Sequence, residues 1–371
     1  MPDLIDLLRG DDDELWSAPR LLRADIQEAA SQLSPQEARF LVESFYRVQR
    51  DRIQAHNQAL ALSQSAEPNR LTTWFEARYH QLEGQLQRVL DAYSRRLPRG
   101  RWLRAQTGVG PVLAGGLLAH LDHEPPATVG HWWSFAGYHP TVEWLGTEKA
   151  RALVQAVAPE ATRRPLSAEE LLELGRRTGR NPLNLEQMAR VAAQRKAPAT
   201  TPADPTIPFP LTRAMASAAL AKRPWNANLK VLLWKCAESF VKCSGREACL
   251  YGHFYHQRKA YEQAKNAQGV YAAQAAHELA TKQIGRDTDA YQHYAEGRLP
   301  PGHIHARCER YVSKIFLSHF HLIATWDAYG RLPVKPFALA HQGHANFWWP
   351  QHTDLLPGLT EALEGLYGPR R

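Results

Sequence analysis

The stretch Gln106-Thr107-Gly108-Val109-Gly110-Pro111-Val112-Leu113-Ala114-Gly115-Gly116-Leu117-Leu118-Ala119 decides how this chain is read. Two glycines flank one apolar residue, and glycine takes positive φ at little steric cost, so the backbone can reverse tightly there. Pro111 follows at the first position of a helix, where a missing N–H is not missed. The spacing therefore predicts a helix, a hairpin and a second helix. The first free N–H groups of that second helix, with the positive end of its dipole, offer a seat for a phosphate oxygen. The N–H groups of Gly108, Val109 and Gly110 are the expected donors. Arg95, Arg96, Arg99, Arg101 and Arg104 lead into the turn and would surround the anion with positive charge. A plain structural turn is the alternative. A dinucleotide site would want a preceding strand and an acidic residue about 20 residues on within a βαβ unit, and no such unit is visible.

Outward from the hairpin the pattern is helical throughout, and the expected fold class is all-α. Ser34-Pro35-Gln36-Glu37 is a capping box with proline at the first helical position. From Asn69 onward, Leu71, Phe75, Tyr79, Leu82, Leu86, Val89 and Tyr93 recur three or four apart. This seam pairs with the preceding helix or, less simply, makes a homodimer through residues 69–95. His131 to Pro140 is dense in aromatics, which suit either a small core closing over the hairpin or base stacking. Ser167-Ala168-Glu169-Glu170 caps a further helix. Arg180, Asn181, Asn184 and Arg190 would face a groove if residues 167–193 form a helix-turn-helix; an ordinary helical hairpin is the simpler reading. Lys196 to Pro210 reads as a proline-rich linker. Beyond it, Leu229, Leu232, Leu233, Cys236, Phe240 and Cys243 stripe an amphipathic helix. Gly269 breaks the polar stretch 255–280, Thr288 and Gly297 bracket another helix, and Pro300-Pro301-Gly302 opens one running to about Trp326. The expected modules are an N-terminal helical arm (1–98), the hairpin module (99–141), an inserted helical hairpin and linker (142–210), a C-terminal helical domain (211–330) and an irregular tail (331–371).

The chain has 371 residues, with 45 basic against 37 acidic side chains and a formal charge of +8. That modest excess favours a polyanionic partner met through a local patch. Cys236, Cys243, Cys249 and Cys308 make no Cys-x-x-Cys pair and read as reduced thiols. The acidic start, Asp11-Asp12-Asp13-Glu14, is unlike a targeting segment, and no apolar run approaches the roughly 20 residues of a membrane span. A cytoplasmic, nucleoid-associated protein is expected, with no membrane partner.

No catalytic constellation stands out. His303, His305, His319, His321, His341 and His344 crowd the C-terminal third. Of these, His305 and His319 share a helix face with Cys308 and are the candidate metal ligands, since imidazole and thiolate are natural zinc donors. Their spacing matches no finger or ribbon. No cofactor is expected otherwise, and a divalent metal is left open. Ser134, Ser239 and Ser318 lack an evident activating partner.

The residues also carry a family resemblance. Gly108-Val109-Gly110-Pro111-Val112-Leu113-Ala114 with Leu117-Leu118-Ala119, then Trp133-Ser134-Phe135-Ala136-Gly137-Tyr138-His139-Pro140, resemble the C-terminal domain of RNA-guided insertion-sequence transposases of the one-ten type. That domain's later basic helix is similar to Ala221-Lys222-Arg223-Pro224-Trp225-Asn226-Ala227-Asn228-Leu229-Lys230-Val231-Leu232-Leu233. The order is kept, with Val142 to Leu220 inserted. The region 225–340 resembles chains labelled as transposases of this type, through His303-Ile304-His305-Ala306-Arg307 and Leu317-Ser318-His319. The family's N-terminal RuvC-like domain has no counterpart in the first hundred residues. Its strand-exchange serine has none in Thr141-Val142-Glu143-Trp144. The resemblance implies DNA handling in a mobile element, transposase-like or accessory to recombination. Arg101, Arg104, Gly108, Val109, Gly110, Lys222, Arg223 and Lys230 are the candidate nucleic-acid contacts. Structured RNA is an alternative ligand, because a hairpin that reads the backbone discriminates poorly. A metal-dependent recombinase or nuclease is the alternative activity.

Overall fold

The computed structural model describes residues 32–139, 144–161, 164–179, 211–335 and 347–369, together with Glu28 and Ala30. Among these residues all regular structure is helical, as expected for an all-α chain. The first helix, α1 (Pro35–Gln64), opens on the expected capping box: Glu37 N–H donates to Ser34 Oγ at 3.2 Å and Ser34 N–H donates to the Glu37 carboxylate at 2.9 Å. α2 (Arg70–Arg95) returns antiparallel to it. Gln49 and Arg52 both reach Glu83, at 3.0 and 2.6 Å, and Asn69 Nδ2 donates to Ala59 O at 3.3 Å. The seam on α2 thus pairs within the chain, burying Val89, Leu90 and Tyr93, while Leu71, Phe75 and Leu82 stay 58, 47 and 40% exposed.

Chain division follows packing, not composition. One compact unit comprises Met1–Ala127 with Trp234–Arg371, and the other Thr128–Leu233. The expected boundary at residue 98 is absent because α3 (Pro98–Ala105) and α4 (Pro111–His120) belong to the same core as α1 and α2. α4 is buried on every side from Ala114 to His120. Gly100 marks how closely the chain folds back here, since a Cβ on it would stand 1.8 Å from the Ser94 carbonyl oxygen.

The second unit holds α5 (Val129–Phe135), α6 (Gly146–Val157), α7 (Ala168–Thr178) and α8 (Arg213–Ala221). Val154, Leu174, Leu211 and Leu220 anchor its small core. The Ser167–Glu170 capping box is present, and Gly179 ends α7 at φ +66°. Trp132 and Tyr138 of the aromatic run are buried. Arg180, Asn181, Asn184 and Arg190, and the linker 196–210, lie outside the described residues.

α9 (Ala227–Lys242) contains the division between the units. The remainder of the first unit is α10 (Leu250–Ala267), α11 (Ala272–Thr281), α12 (Asp289–Ala295) and α13 (Pro301–Tyr329). α13 is its axis: Trp102 stacks parallel to Phe316 and Phe320 at 6.2 and 6.3 Å, and Phe240 and Tyr251 meet Phe316 edge-on. The described part of the tail expected to be irregular, residues 347–369, has helical structure and packs against this core. It contains a 3-10 turn (Thr353–Leu355) and α14 (Leu359–Tyr367), with Leu359 and Leu363 fully buried one helical turn apart. Trp102 Nε1 donates to Gln351 O at 2.7 Å. Proline and glycine hid this segment because the helix is short and its apolar pair is brief. Among the described residues no helix is long and apolar enough to cross a membrane.

Candidate functional site

The hairpin joins α3 to α4 as the glycine pattern requires. Val109 N–H donates to Gln106 O at 3.0 Å, closing a four-residue turn, and Gly108 takes φ +96° at its third position. That is the arrangement of a type II turn, which needs glycine there. Gly110 is extended (φ −78°, ψ 175°) and serves as N-cap of α4, with Pro111 at the first helical position. A Cβ on Gly110 would meet nothing within 4 Å. The first intrahelical bond of α4 is Ala114 N–H to Gly110 O, 3.0 Å. The N–H groups of Gly110, Val112 and Leu113 therefore precede the first residue with an i−4 carbonyl.

Two expected contacts are corrected by this geometry. Val109 is buried and its N–H is committed to Gln106 O, so it is not available to a phosphate. Arg104 is structural: Nε donates to Asp91 Oδ1 at 2.8 Å and Nη1 to Val109 O at 2.6 Å, which ties the hairpin to α2. Ser239 and Phe240 of α9 support the other side. Ser239 Oγ donates to Gly108 O at 2.6 Å, so this hydroxyl braces the turn. Arg101 is exposed, with Nη1 3.5 Å from Arg95 O. Lys222, Arg223 and Lys230 belong to the other compact unit. There the Arg223 guanidinium lies 4.8 Å over the Trp144 ring and the Lys230 ammonium 4.3 Å over that of Trp225. Trp144 and Arg223 are both exposed, which leaves an aromatic face and a cation together at the surface.

The three metal candidates do not converge. His319 is buried with both ring nitrogens engaged, Nε2 donating to Trp348 O at 2.8 Å and Nδ1 accepting from Tyr251 OH at 3.0 Å. The carbonyl can only accept, which fixes the proton on Nε2. Burial pushes the His319 pKa down to about 4. The Cys308 thiol is buried and pushed up to about 11, so it stays protonated. His321 Nε2 is 2.7 Å from Pro126 O, and the His303 ring lies between Tyr294 and Gln274. His341 and His344 lie outside the described residues.

Only His305 of the three candidates faces ligand-type groups. Its Nε2 is 3.5 Å from Glu309 Oε1, one turn along α13, and 3.5 Å from Glu238 Oε1 on α9. Its Nδ1 is 2.8 Å from Tyr255 OH. Among the described residues, Glu238, His305 and Glu309 form the one set of three metal-ligand side chains close enough to share an ion. Burial, and then the facing Glu238 carboxylate, push Glu309 up to about 7. The hydrogen bond with Glu309 holds Glu238 low. The His-x-x-x-Glu spacing on α13 was a readable signal for two of the three residues of this cluster. Glu238 carried none, because only tertiary packing brings α9 to α13.

Comparison with protein-family models, with curated proteins and with solved structures gave no match.

Proposed function

We propose that this chain binds nucleic acid through the phosphate backbone, and that its setting is DNA transposition or recombination in a mobile element. The contact point is the N-terminus of α4. The observation that carries the reading is Gly110: an extended N-cap with open space before it, followed by proline, ahead of the N–H groups of Val112 and Leu113. These donors, with the positive end of the helix dipole, suit a phosphate oxygen. Gly110 keeps the role expected of it, and Val112 and Leu113 stand in for Val109, whose N–H is committed to Gln106 O. The exposed Arg101 on α3 and, considered separately on the other unit, Lys222, Arg223 and Lys230 are the candidate cationic contacts. The overall charge of +8 fits a polyanionic ligand. The order of sequence motifs shared with one-ten-type transposases supports a mobile-element setting. Duplex DNA is the ligand favoured, and structured RNA is the competing outcome. Gly110→Val tests the reading: φ −78° admits valine, and the added side chain would project into the space a phosphate needs. Fluorescence anisotropy with labelled duplex should show binding lost while far-UV circular dichroism stays unchanged. Unchanged affinity would remove the hairpin from the account.

A further inference from the structure

We propose that Glu238, His305 and Glu309 form a site for one divalent transition-metal ion, zinc foremost. The nucleic-acid reading does not depend on it. The three donor atoms lie within 4.8 Å of one another, and His305 Nε2 is 3.5 Å from the Oε1 atom of each glutamate. A tetrahedral ion with ligand distances of about 2.1 Å separates its ligands by about 3.4 Å, whereas an octahedral one separates neighbours by about 3.0 Å. The two His305-to-glutamate spacings are close to a tetrahedron's edge.

The side chains are arranged for a cation by more than proximity. Glu309 is 6% exposed, and its Oε1, the atom facing His305, has no hydrogen-bond partner. A buried carboxylate oxygen left in that state is costly unless an ion or proton satisfies it. Tyr255 OH holds His305 Nδ1 and leaves Nε2 directed at the carboxylates, the outer contact that commonly orients a metal-bound imidazole. Lys242 Nζ takes the other oxygen of Glu238, Oε2, at 3.6 Å and leaves Oε1 to the cluster. An imidazole among the donors disfavours magnesium and calcium, which prefer oxygen alone. Three protein ligands leave a fourth position. The partial exposure of the Glu238 and His305 side chains, 27 and 35%, leaves room there for water or an anionic oxygen.

Cobalt(II) titration of the chelator-stripped, full-length chain reads the site directly. The expected result is one equivalent of cobalt with the visible absorption of a tetrahedral nitrogen–oxygen site, no thiolate charge-transfer band, and displacement by zinc. Glu238→Gln and His305→Ala should each weaken zinc binding roughly 100-fold, and Tyr255→Phe about 10-fold. Cys308→Ser should leave it unchanged. Absence of stoichiometric uptake, an octahedral spectrum or a thiolate band in the wild-type chain would overturn the assignment, as would unchanged affinity in folded Glu238→Gln. The wild-type spectrum stands as a test even if a variant fails to fold.

Discussion

Replacing Gly108 by alanine should destabilise the chain far more than the same change at Gly110, two residues away. Gly108 sits at φ +96°, where an L side chain is strained by roughly 1–3 kcal/mol. Its new Cβ would stand 3.2 Å from both Phe240 Cδ1 and Ser239 Oγ. Displacing Ser239 puts its 2.6 Å hydrogen bond to Gly108 O at risk, a further loss of about 1 kcal/mol. Together these give about 2–4 kcal/mol. At Gly110 the backbone is already extended and the space is open, so alanine loses only the N-cap preference for glycine, at most about 1 kcal/mol. A difference near 2 kcal/mol is roughly a 30-fold change in the folded-to-unfolded ratio. With an m value of about 3 kcal/mol/M, urea midpoints followed by circular dichroism would separate by about 0.7 M. Coincident midpoints would refute the claim that a glycine-dependent turn braced by α9 shapes the hairpin.

Three further outcomes follow from named contacts. Arg104→Ala should cost stability, about 2 kcal/mol for a partly buried ion pair and a carbonyl contact; Arg101→Ala should leave the urea midpoint in place and weaken nucleic-acid binding alone. Glu262 is fully buried between Arg258, Arg307 and Tyr271, so Glu262→Gln should destabilise by about 3 kcal/mol in the same assay because two guanidinium groups lose their counter-charge. Burial holds His319 at about 4, against about 6.5 in an unfolded chain. The unfolded state therefore binds more protons between those values. Stability from the neutral imidazole is whole above about 6.5 and lost as pH falls toward 4, by up to about 3 kcal/mol. Urea unfolding across that range should show the slope and His319→Gln should reduce it; a flat wild-type profile would contradict the assignment.

Local signals in the sequence located the helices well. The Ser34–Glu37 and Ser167–Glu170 boxes, the breaks at Gly269 and Gly297, and the start of α13 at Pro301 all depend on neighbouring residues, and each stands in the fold. The glycine-x-glycine turn was legible for the same reason. What the hairpin's groups do was not legible, because Arg104 finds Asp91 and Gly108 O finds Ser239 only after α2 and α9 pack around it. Module boundaries read from composition at 98 and 141 differ from the packed units, since α4 joins the core of α1 and α2. His305, Cys308 and His319 share a helix face on paper. Tyr251 and the Trp348 carbonyl occupy one imidazole, burial keeps the thiol protonated, and the third residue finds two glutamates instead.

The most direct test of the central claim is the affinity of wild type and Gly110→Val for one labelled DNA duplex, measured side by side across a salt series. Contact through phosphates predicts that the wild-type logarithmic affinity falls linearly with the logarithm of salt, by about 0.9 per phosphate engaged, and that the valine variant loses binding at every salt while remaining helical. Salt-sensitive binding that is equal in the two proteins would contradict a hairpin contact. No binding by wild type at low salt would contradict the nucleic-acid reading itself.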